Sequence, residues 1–377
     1  MKCLLLFFAV CLVHQCAGAP GDGLIFAHVV FRHGDRNIYT PFGKNDPFSN
    51  EIKYWPGGFQ QLTDLGRQQQ YELGQYLAKR YRKLIGNKYS DSKVYCRSTN
   101  ITRAMLSAYN TLAGMFPSSS KEKWNPNLES KWTSQVNTIP EIEDFVLATK
   151  KPCKQWLDGH TEVANSPEMK NIVSDNAALF EKWENLAGRP IKKIGHVNVL
   201  YQTLKIEKMR GFEGFPSWAE ELVKEGTNFE KIAFKDFEFY GKTPKMARIR
   251  PGFLLKEILE RFSQKASGSL TPDRSLWLYS AHDVTIANIL GGLGVYNDPK
   301  NNLQAHIPPY SSCVFFELHR NKGKYHIEVY YKRDRGVDKR PLQPLRLRCG
   351  PKCPLNEFYD KYNDIIPTKS FDEECHN

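Results

Sequence analysis

The chain has 377 residues, 41% of them apolar and 25% charged, with 53 Lys and Arg against 41 Asp and Glu for a formal net charge of +12. That length and composition exclude a disordered chain and a miniprotein, and they allow one large domain or two with a core that needs no staples. The absence of a fixed-period repeat or a low-complexity tract argues against a solenoid or a fibrous protein.

Met1-Lys2 is followed by an apolar run over 3–13 and the small residues Cys16-Ala17-Gly18-Ala19. A short positive start, an apolar stretch too brief to span a bilayer and a small-residue exit predict a cleavable secretory leader over 1–18. No later stretch approaches 18 consecutive apolar residues, so the expected product is exported and soluble, with no membrane anchor. Loss of the leader leaves Cys96, Cys153, Cys313, Cys349, Cys353 and Cys375, and the sequence does not choose among their pairings. Cys349-Gly-Pro-Lys-Cys353 lacks the second pair that a zinc ribbon needs, and in an exported chain it reads as a local disulfide. The basic residues are scattered, with no run of five. The charge therefore reads as a surface that attracts small anions, not as a nucleic-acid footprint.

Residues 24–31 form an almost unbroken apolar run, rich in β-branched and aromatic side chains, that stops at Arg32-His33-Gly34-Asp35-Arg36. Such a run predicts a strand buried on both faces, as in a parallel sheet. Thr63 is placed to cap a helix with Leu65, Leu73, Leu77, Tyr81 and Leu84 on one face and Gly86 as its stop. A second short strand over 94–96 runs into Arg97-Ser98-Thr99 and a helix over 103–116. Over 131–240 strand-like runs are few and amphipathic stretches several, which predicts a helical insert between two parts of a core, 19–130 and 241–377. A helix over 253–262 follows, then a buried strand over 276–280 that delivers Ala281-His282-Asp283, then a helix over 284–293. Two alternating strands, 314–319 and 325–331, are joined by Asn321-Lys322-Gly323, the signature of an antiparallel hairpin. The expected fold is α/β: a mainly parallel sheet flanked by helices, with a smaller inserted helical cap.

Three polar clusters share one address just past the carboxyl end of a predicted strand, where open α/β sheets gather their ligands. They are Arg32-His33-Gly34-Asp35-Arg36, Arg97, and His282-Asp283. Three arginines and two histidines at one sheet edge repel one another unless an anion lies between them, and phosphate matches several guanidinium forks best. A histidine beside it can act as nucleophile while neutral, a state favoured by neighbouring positive charge. Asp283 is placed to protonate a departing alcohol while it holds its own proton, so activity is expected to be favoured below neutral pH. Gly-x-Ser-x-Gly, His-Glu-x-x-His and Gly-x-x-x-x-Gly-Lys motifs are all missing. Cys96 is not read as a cysteine-phosphatase nucleophile, because that loop needs an arginine where Thr102 stands. His28 and Tyr95 read as packing residues, and Tyr330-Tyr331 as a pair split between core and solvent.

From Phe31-Arg32-His33-Gly34-Asp35-Arg36 through Trp55-Pro56, Gly58-Phe59, Leu62-Thr63, Leu65-Gly66, Tyr71-Glu72-Leu73-Gly74, Arg97-Ser98-Thr99 and Tyr279-Ser280-Ala281-His282-Asp283 to Cys353-Pro354-Leu355, the chain resembles the histidine acid phosphatases of the prostatic and lysosomal type. The likeness is weakest in the helical insert. It implies His33 as the nucleophile that forms a phosphohistidine and Asp283 as proton donor. It also implies Arg32, Arg36, Arg97 and His282 as phosphate ligands, with no metal or other cofactor. A homodimer and small phosphorylated substrates come with the same resemblance. So do the disulfides Cys153 with Cys375 and Cys349 with Cys353, which leave Cys96 unexplained and Cys313 without its usual partner, since position 202 is Gln.

Two departures carry expectations. Asn37-Ile38 stands where the family usually has Ser or Thr and then Pro, which predicts a less rigid loop. Asn100-Ile101-Thr102 creates the one glycosylation sequon, expected to lie too deep for use. The leading reading is an exported phosphomonoesterase of broad tolerance. A catalytically weak small-ligand binder draws support from the altered loop and the basic surface, and a phytase-like enzyme fits the charge but less of the likeness. The first leads because every expected chemical group is present.

Overall fold

The computed structural model describes residues 23–117, 135–148, 150–333 and 342–376. The expected leader, 1–18, and the expected core–insert boundary at 130–131 lie outside the described residues. Strands β1 (Gly23–Arg32), β2 (Val94–Thr99), β3 (Asn137–Ile139), β4 (Leu276–Ala281), β5 (Cys313–Asn321), β6 (Lys324–Lys332) and β7 (Cys353–Pro354) form one sheet in the order β3-β2-β4-β1-β5-β6-β7. The first four in that order run parallel, and β5, β6 and β7 add an antiparallel edge. β3 and β7 are too short to have left a periodic signal in the sequence.

The helices are α1 (Glu51–Tyr54), α2 (Asp64–Ile85) and α3 (Thr102–Met115) before β3, and α11 (Gly252–Ser267), α12 (Asp283–Gly292), α13 (Leu355–Lys361) and α14 (Phe371–His376) in the last third. Between them come α4 (Lys154–Ala164), α5 (Pro167–Asp175), α6 (Ala177–Ala187), α7 (Ile194–Arg210), α8 (Ser217–Leu222), α9 (Asn228–Glu238) and α10 (Pro244–Ile249). Among the described residues, no helix is long and apolar enough to cross a membrane.

Both faces of β1 are covered, which is why its sequence is apolar at nearly every position. Phe26 and Val30 pack with Leu255, Phe262, Ile286 and Phe316 on one side, and Ala27, Val29 and Phe31 with Leu73, Leu77, Leu112 and Phe315 on the other. His28 is buried in the first layer against Phe262, Trp277 and Tyr279. The same double coverage corrects the reading of Tyr330 and Tyr331, which join opposite faces and are both buried. Thr63 Oγ1 caps α2 by accepting from the Gly66 amide at 3.1 Å, and Gly86 ends it with φ of 74°. Leu65, expected on the core face, is 45% exposed, because the first turn of α2 faces the site loop through Gly66 instead. In the segment expected as an insert, Trp183, Val197, Leu200, Leu204 and Phe229 are buried together in a cluster that Phe42, from the loop after β1, also joins. Cys153–Cys375 and Cys349–Cys353 are bonded. Cys96 and Cys313 lie buried outside these bridges, and burial pushes the Cys96 thiol up to about 12, too high for a nucleophile.

Candidate active site

The loop 33–36 leaves the carboxyl end of β1 and is held from three sides. The His33 amide donates to the Ala281 carbonyl (3.0 Å), the Gly34 amide to Ser107 Oγ (3.1 Å) and the Asp35 amide to Gln69 Oε1 (2.8 Å). Gln70 Nε2 donates to the Arg32 carbonyl at 2.9 Å. The loop also lies directly on the first turn of α2. A Cβ on Gly34 would stand 2.2 Å from the Gly66 carbonyl oxygen, and one on Gly66 would stand 2.2 Å from that of Asp35. Gly66→Ala must therefore displace the loop. A shift near 1 Å in a catalytic group costs about 100-fold in kcat/KM, and steady-state kinetics with an aryl phosphate are expected to show a loss of that order.

His33 is fixed in tautomer as well as position. Its Nδ1 donates to the Gly34 carbonyl at 2.8 Å, so Nε2 carries the lone pair, and Arg103 Nε donates to that atom at 3.2 Å. Burial, then the charges of Arg32 and Arg103, and those of His282 and Arg36, hold this imidazole well below its ordinary pKa. His282 lies beside it with ring centroids 5.4 Å apart. Burial, with Arg103 and Arg32, pulls His282 down to about 3 against the opposing pull of Asp283. Its Nε2 is 3.0 Å from Thr99 Oγ1.

Arg32 stacks over Tyr310 at 4.1 Å, donates to the Pro308 carbonyl at 2.6 Å and pairs with Asp283 at 2.9 Å. Burial alone would favour the neutral acid at Asp283, but Arg32, Arg36, His282 and the Val284 amide outweigh it and hold the carboxyl below its ordinary range. The expected protonated acid is thus an ion-paired carboxylate here. Arg36 stacks on Tyr39 at 3.8 Å and donates to Gln202 Oε1 at 3.2 Å. Two buried donors at this centre, Arg32 Nε and Arg36 Nε, have no hydrogen-bond partner among the described residues.

The structure brings Arg32, His33, Arg36, His282 and Asp283 together but not Arg97. In the pairing register Arg97 lies level with Tyr279, and Tyr279 with Val30. Arg97 is therefore three strand positions, roughly 10 Å, short of His33. Its guanidinium is turned to Asp144 at 2.5 Å, with Glu257 at 3.9 Å. Asp144 also accepts from the Val146 and Leu147 amides, so Arg97 ties β2 to the turn after β3. Arg103, in the first turn of α3, stands beside His33 in its stead. Its signal was available: Arg103, Ser107 and Thr111, each four residues apart and all buried, form a polar stripe on a helix facing the site loop.

Further residues brace this centre. Asp35 pairs with Arg210 at the end of α7 (2.7 Å), and Gln202 passes its own donor to Asn198 (2.9 Å), which donates to Asp236 (2.6 Å). The altered loop is not loose: Asn37 Nδ2 donates to the Pro56 and Gly58 carbonyls at 3.0 and 2.8 Å, and Ile38 is fully buried. The side-chain amide supplies the anchor that a proline would have supplied by its ring. Asn100, in the turn after β2, and Thr102, at the start of α3, are by contrast exposed, so burial does not bar the sequon from use.

The model of the histidine phosphatase superfamily (branch 2) matches residues 23–332. The chain belongs to this family. It is 33% identical to human prostatic acid phosphatase over 93% of the chain and 88% of that protein. Identity to human lysosomal acid phosphatase is 34%, over 93% of the chain and 80% of that protein. Among solved structures, the Klebsiella sp. ASR1 phytase superposes with a TM-score of 0.68 at 14% identity, covering 92% of this chain and 98% of that one. The Hafnia alvei phytase in complex with myo-inositol hexakis sulphate gives 0.67 at 17% identity, over 93% and 99%. These likenesses place the histidine phosphatase fold beneath the site just described.

Proposed function

We propose that the protein is an exported acid phosphatase that hydrolyses small phosphate monoesters through a phosphohistidine on His33, without a metal, as the family resemblance implies. The observation that carries this reading is the His33 imidazole, neutral and locked through Nδ1 so that Nε2 alone is presented among guanidinium groups. Nε2 attacks phosphorus, the P–N bond forms as the ester P–O bond breaks, and the departing oxygen takes a proton by way of Asp283. Arg32, Arg36, Arg103 and His282 hold the phosphoryl oxygens, and the unpartnered donors of Arg32 and Arg36 gain acceptors. Water then cleaves the P–N bond. In this scheme the helical segment 131–240 is a cap, tied to the site loop through Gln202 and Arg210. A cleft of about 390 Å³ beside Arg32, lined by Tyr201, Gln202, Lys205, Phe234, Tyr310 and Arg333 among others, has room for a small alcohol against mixed polar and apolar walls.

The ionised Asp283 sets the pH dependence. A phosphate monoester with one remaining proton brings that proton to the site, and the pair made of substrate and Asp283 shares it. Above the second ionisation of the substrate, near pH ~6 for a phosphate monoester, the proton is lost and kcat/KM falls about tenfold per pH unit. On the acid side, the lowered pKa of His33 keeps the nucleophile neutral well below pH 6.5. The expected profile against an aryl phosphate is high near pH 5 and falling above neutrality, with the basic limb moving when the ester's own second pKa is changed. A profile flat to pH 8 would overturn this assignment. The binder reading loses one of its supports, since the 37–38 loop is pinned. Parallel rates on an aryl phosphate and on myo-inositol hexakisphosphate separate a general monoesterase from a phytase.

A further inference from the structure

At the end of the β5–β6 hairpin remote from the phosphate centre, four side chains form a square on one face of the sheet. His319 pairs in register with His326, and Glu317 with Glu328. The two-residue spacing along each strand keeps all four on the same side. The imidazoles lie stacked, 5.2 Å between centroids at 18°. His319 Nε2 is 3.3 Å from Glu317 Oε2 and 3.8 Å from Glu328 Oε2, and His326 Nε2 is 3.2 Å from Glu328 Oε1. Ligand atoms of His319, His326 and Glu328 all fall within 4.8 Å of one another.

A tetrahedral zinc ion with bonds near 2.0–2.1 Å separates its ligand atoms by about 3.3 Å. The separations here already bracket that figure, so an ion could be clasped by side-chain adjustment alone. We propose that His319, His326 and Glu328 form a zinc-type metal site, with Glu317 Oε2 within reach as a fourth ligand. Two imidazoles and a carboxylate are a donor set suited to zinc and its borderline neighbours, not to calcium or magnesium. The outer groups are in place: Arg80 Nε and Tyr81 OH donate to Glu317 Oε1, leaving Oε2 turned toward the histidines, and Tyr330 OH donates to Glu328 Oε2. Lys352 Nζ stands 3.8 Å from Glu328 Oε1, but its side chain is 70% exposed and free to swing into water. An open cleft of about 650 Å³ beside His326 gives an ion a route in. Leu24 pairs with His319 and Phe31 with Cys313. Seven strand steps of ~3.3 Å, roughly 23 Å, therefore separate this square from the phosphate centre. The ion would clamp the antiparallel edge and take no part in turnover.

The test is a titration of the chelator-stripped full chain with Zn²⁺ at pH 7.5, followed by calorimetry, melting temperature and aryl phosphatase rate. The expected result is one saturable equivalent that raises Tm and leaves the rate unchanged, and Co²⁺ in its place gives the visible absorption of a tetrahedral ion. His319→Gln and His326→Gln are each expected to abolish that equivalent and the Tm rise while keeping full zinc-free activity, which shows that they fold. Glu328→Gln is expected to weaken uptake at least about tenfold. No saturable uptake by the unaltered chain overturns the proposal. So does uptake that persists in the double histidine variant, or that coincides with loss of activity, since either would put the ion at His33 and His282.

Discussion

His33→Ala is expected to lower kcat/KM toward aryl phosphates by on the order of 10⁴-fold or more, the scale seen when a covalent nucleophile is removed. The size follows from the geometry: the neighbouring imidazole of His282 is engaged through Nε2 with Thr99 and the Asp283 carboxylate with Arg32, and neither replaces the His33 lone pair. Removing the ring also frees the Gly34 carbonyl and the Arg103 guanidinium, so phosphate binding itself should survive, with inorganic phosphate still inhibiting by occupying the arginines. Rapid quenching into alkali, where phosphohistidine persists, should trap labelled protein from the unaltered chain and none from the variant. A variant that keeps its rate within tenfold would remove the covalent mechanism.

A comparison of two arginines six positions apart is the second large effect. Arg103→Ala removes a buried donor from beside the nucleophile, and loss of one such preorganised donor costs about 10²–10³ in kcat. Its effect on thermal stability should be small, because burial together with Arg36 and Arg32 works against its charge and outweighs the support of Tyr39 and Asp283. Arg97→Ala should do the reverse. It strands the fully buried Asp144 carboxylate without its cation, and breaking a buried pair in this way costs about 3–5 kcal/mol. Urea melts of both variants, run beside kinetics at saturating substrate, check the contrast. Equal kinetic damage from the two at equal stability would mean that Arg97 serves the phosphate after all.

The frame of the molecule was legible because its strands are buried on both faces and so announce themselves as dense apolar runs. β1, β2, β4 and the β5–β6 hairpin stand within a few residues of where the sequence puts them, and the turn at Lys322-Gly323 takes the positive φ values that such a connection requires. The loop after β1 and the pair after β4 were legible for the same reason, since chemistry collects where those strands end. Arg97 misled because a strand's last residues are not all at its tip: the register of β2 leaves it three rows back, and register is a property of pairing that one strand cannot declare. Arg103 was harder to read, because a polar stripe on a helix looks like a solvated face until the opposing loop is known. The Asn37 anchor could not be foreseen either, because its acceptors at Pro56 and Gly58 come from a separate turn.

The bond between Cys153 and Cys375 joins the start of α4 to the last helix, 222 positions further on. Everything from α4 through β4, β5 and β6 is thereby enclosed in one covalent ring. A protease that severs a single peptide anywhere inside that ring releases no fragment. The nicked molecule gains only one water in mass and migrates as one species until a reducing agent is added. Wherever cuts accumulate faster than the molecule is replaced, the two halves of the sheet would remain partners after the chain between them had been broken.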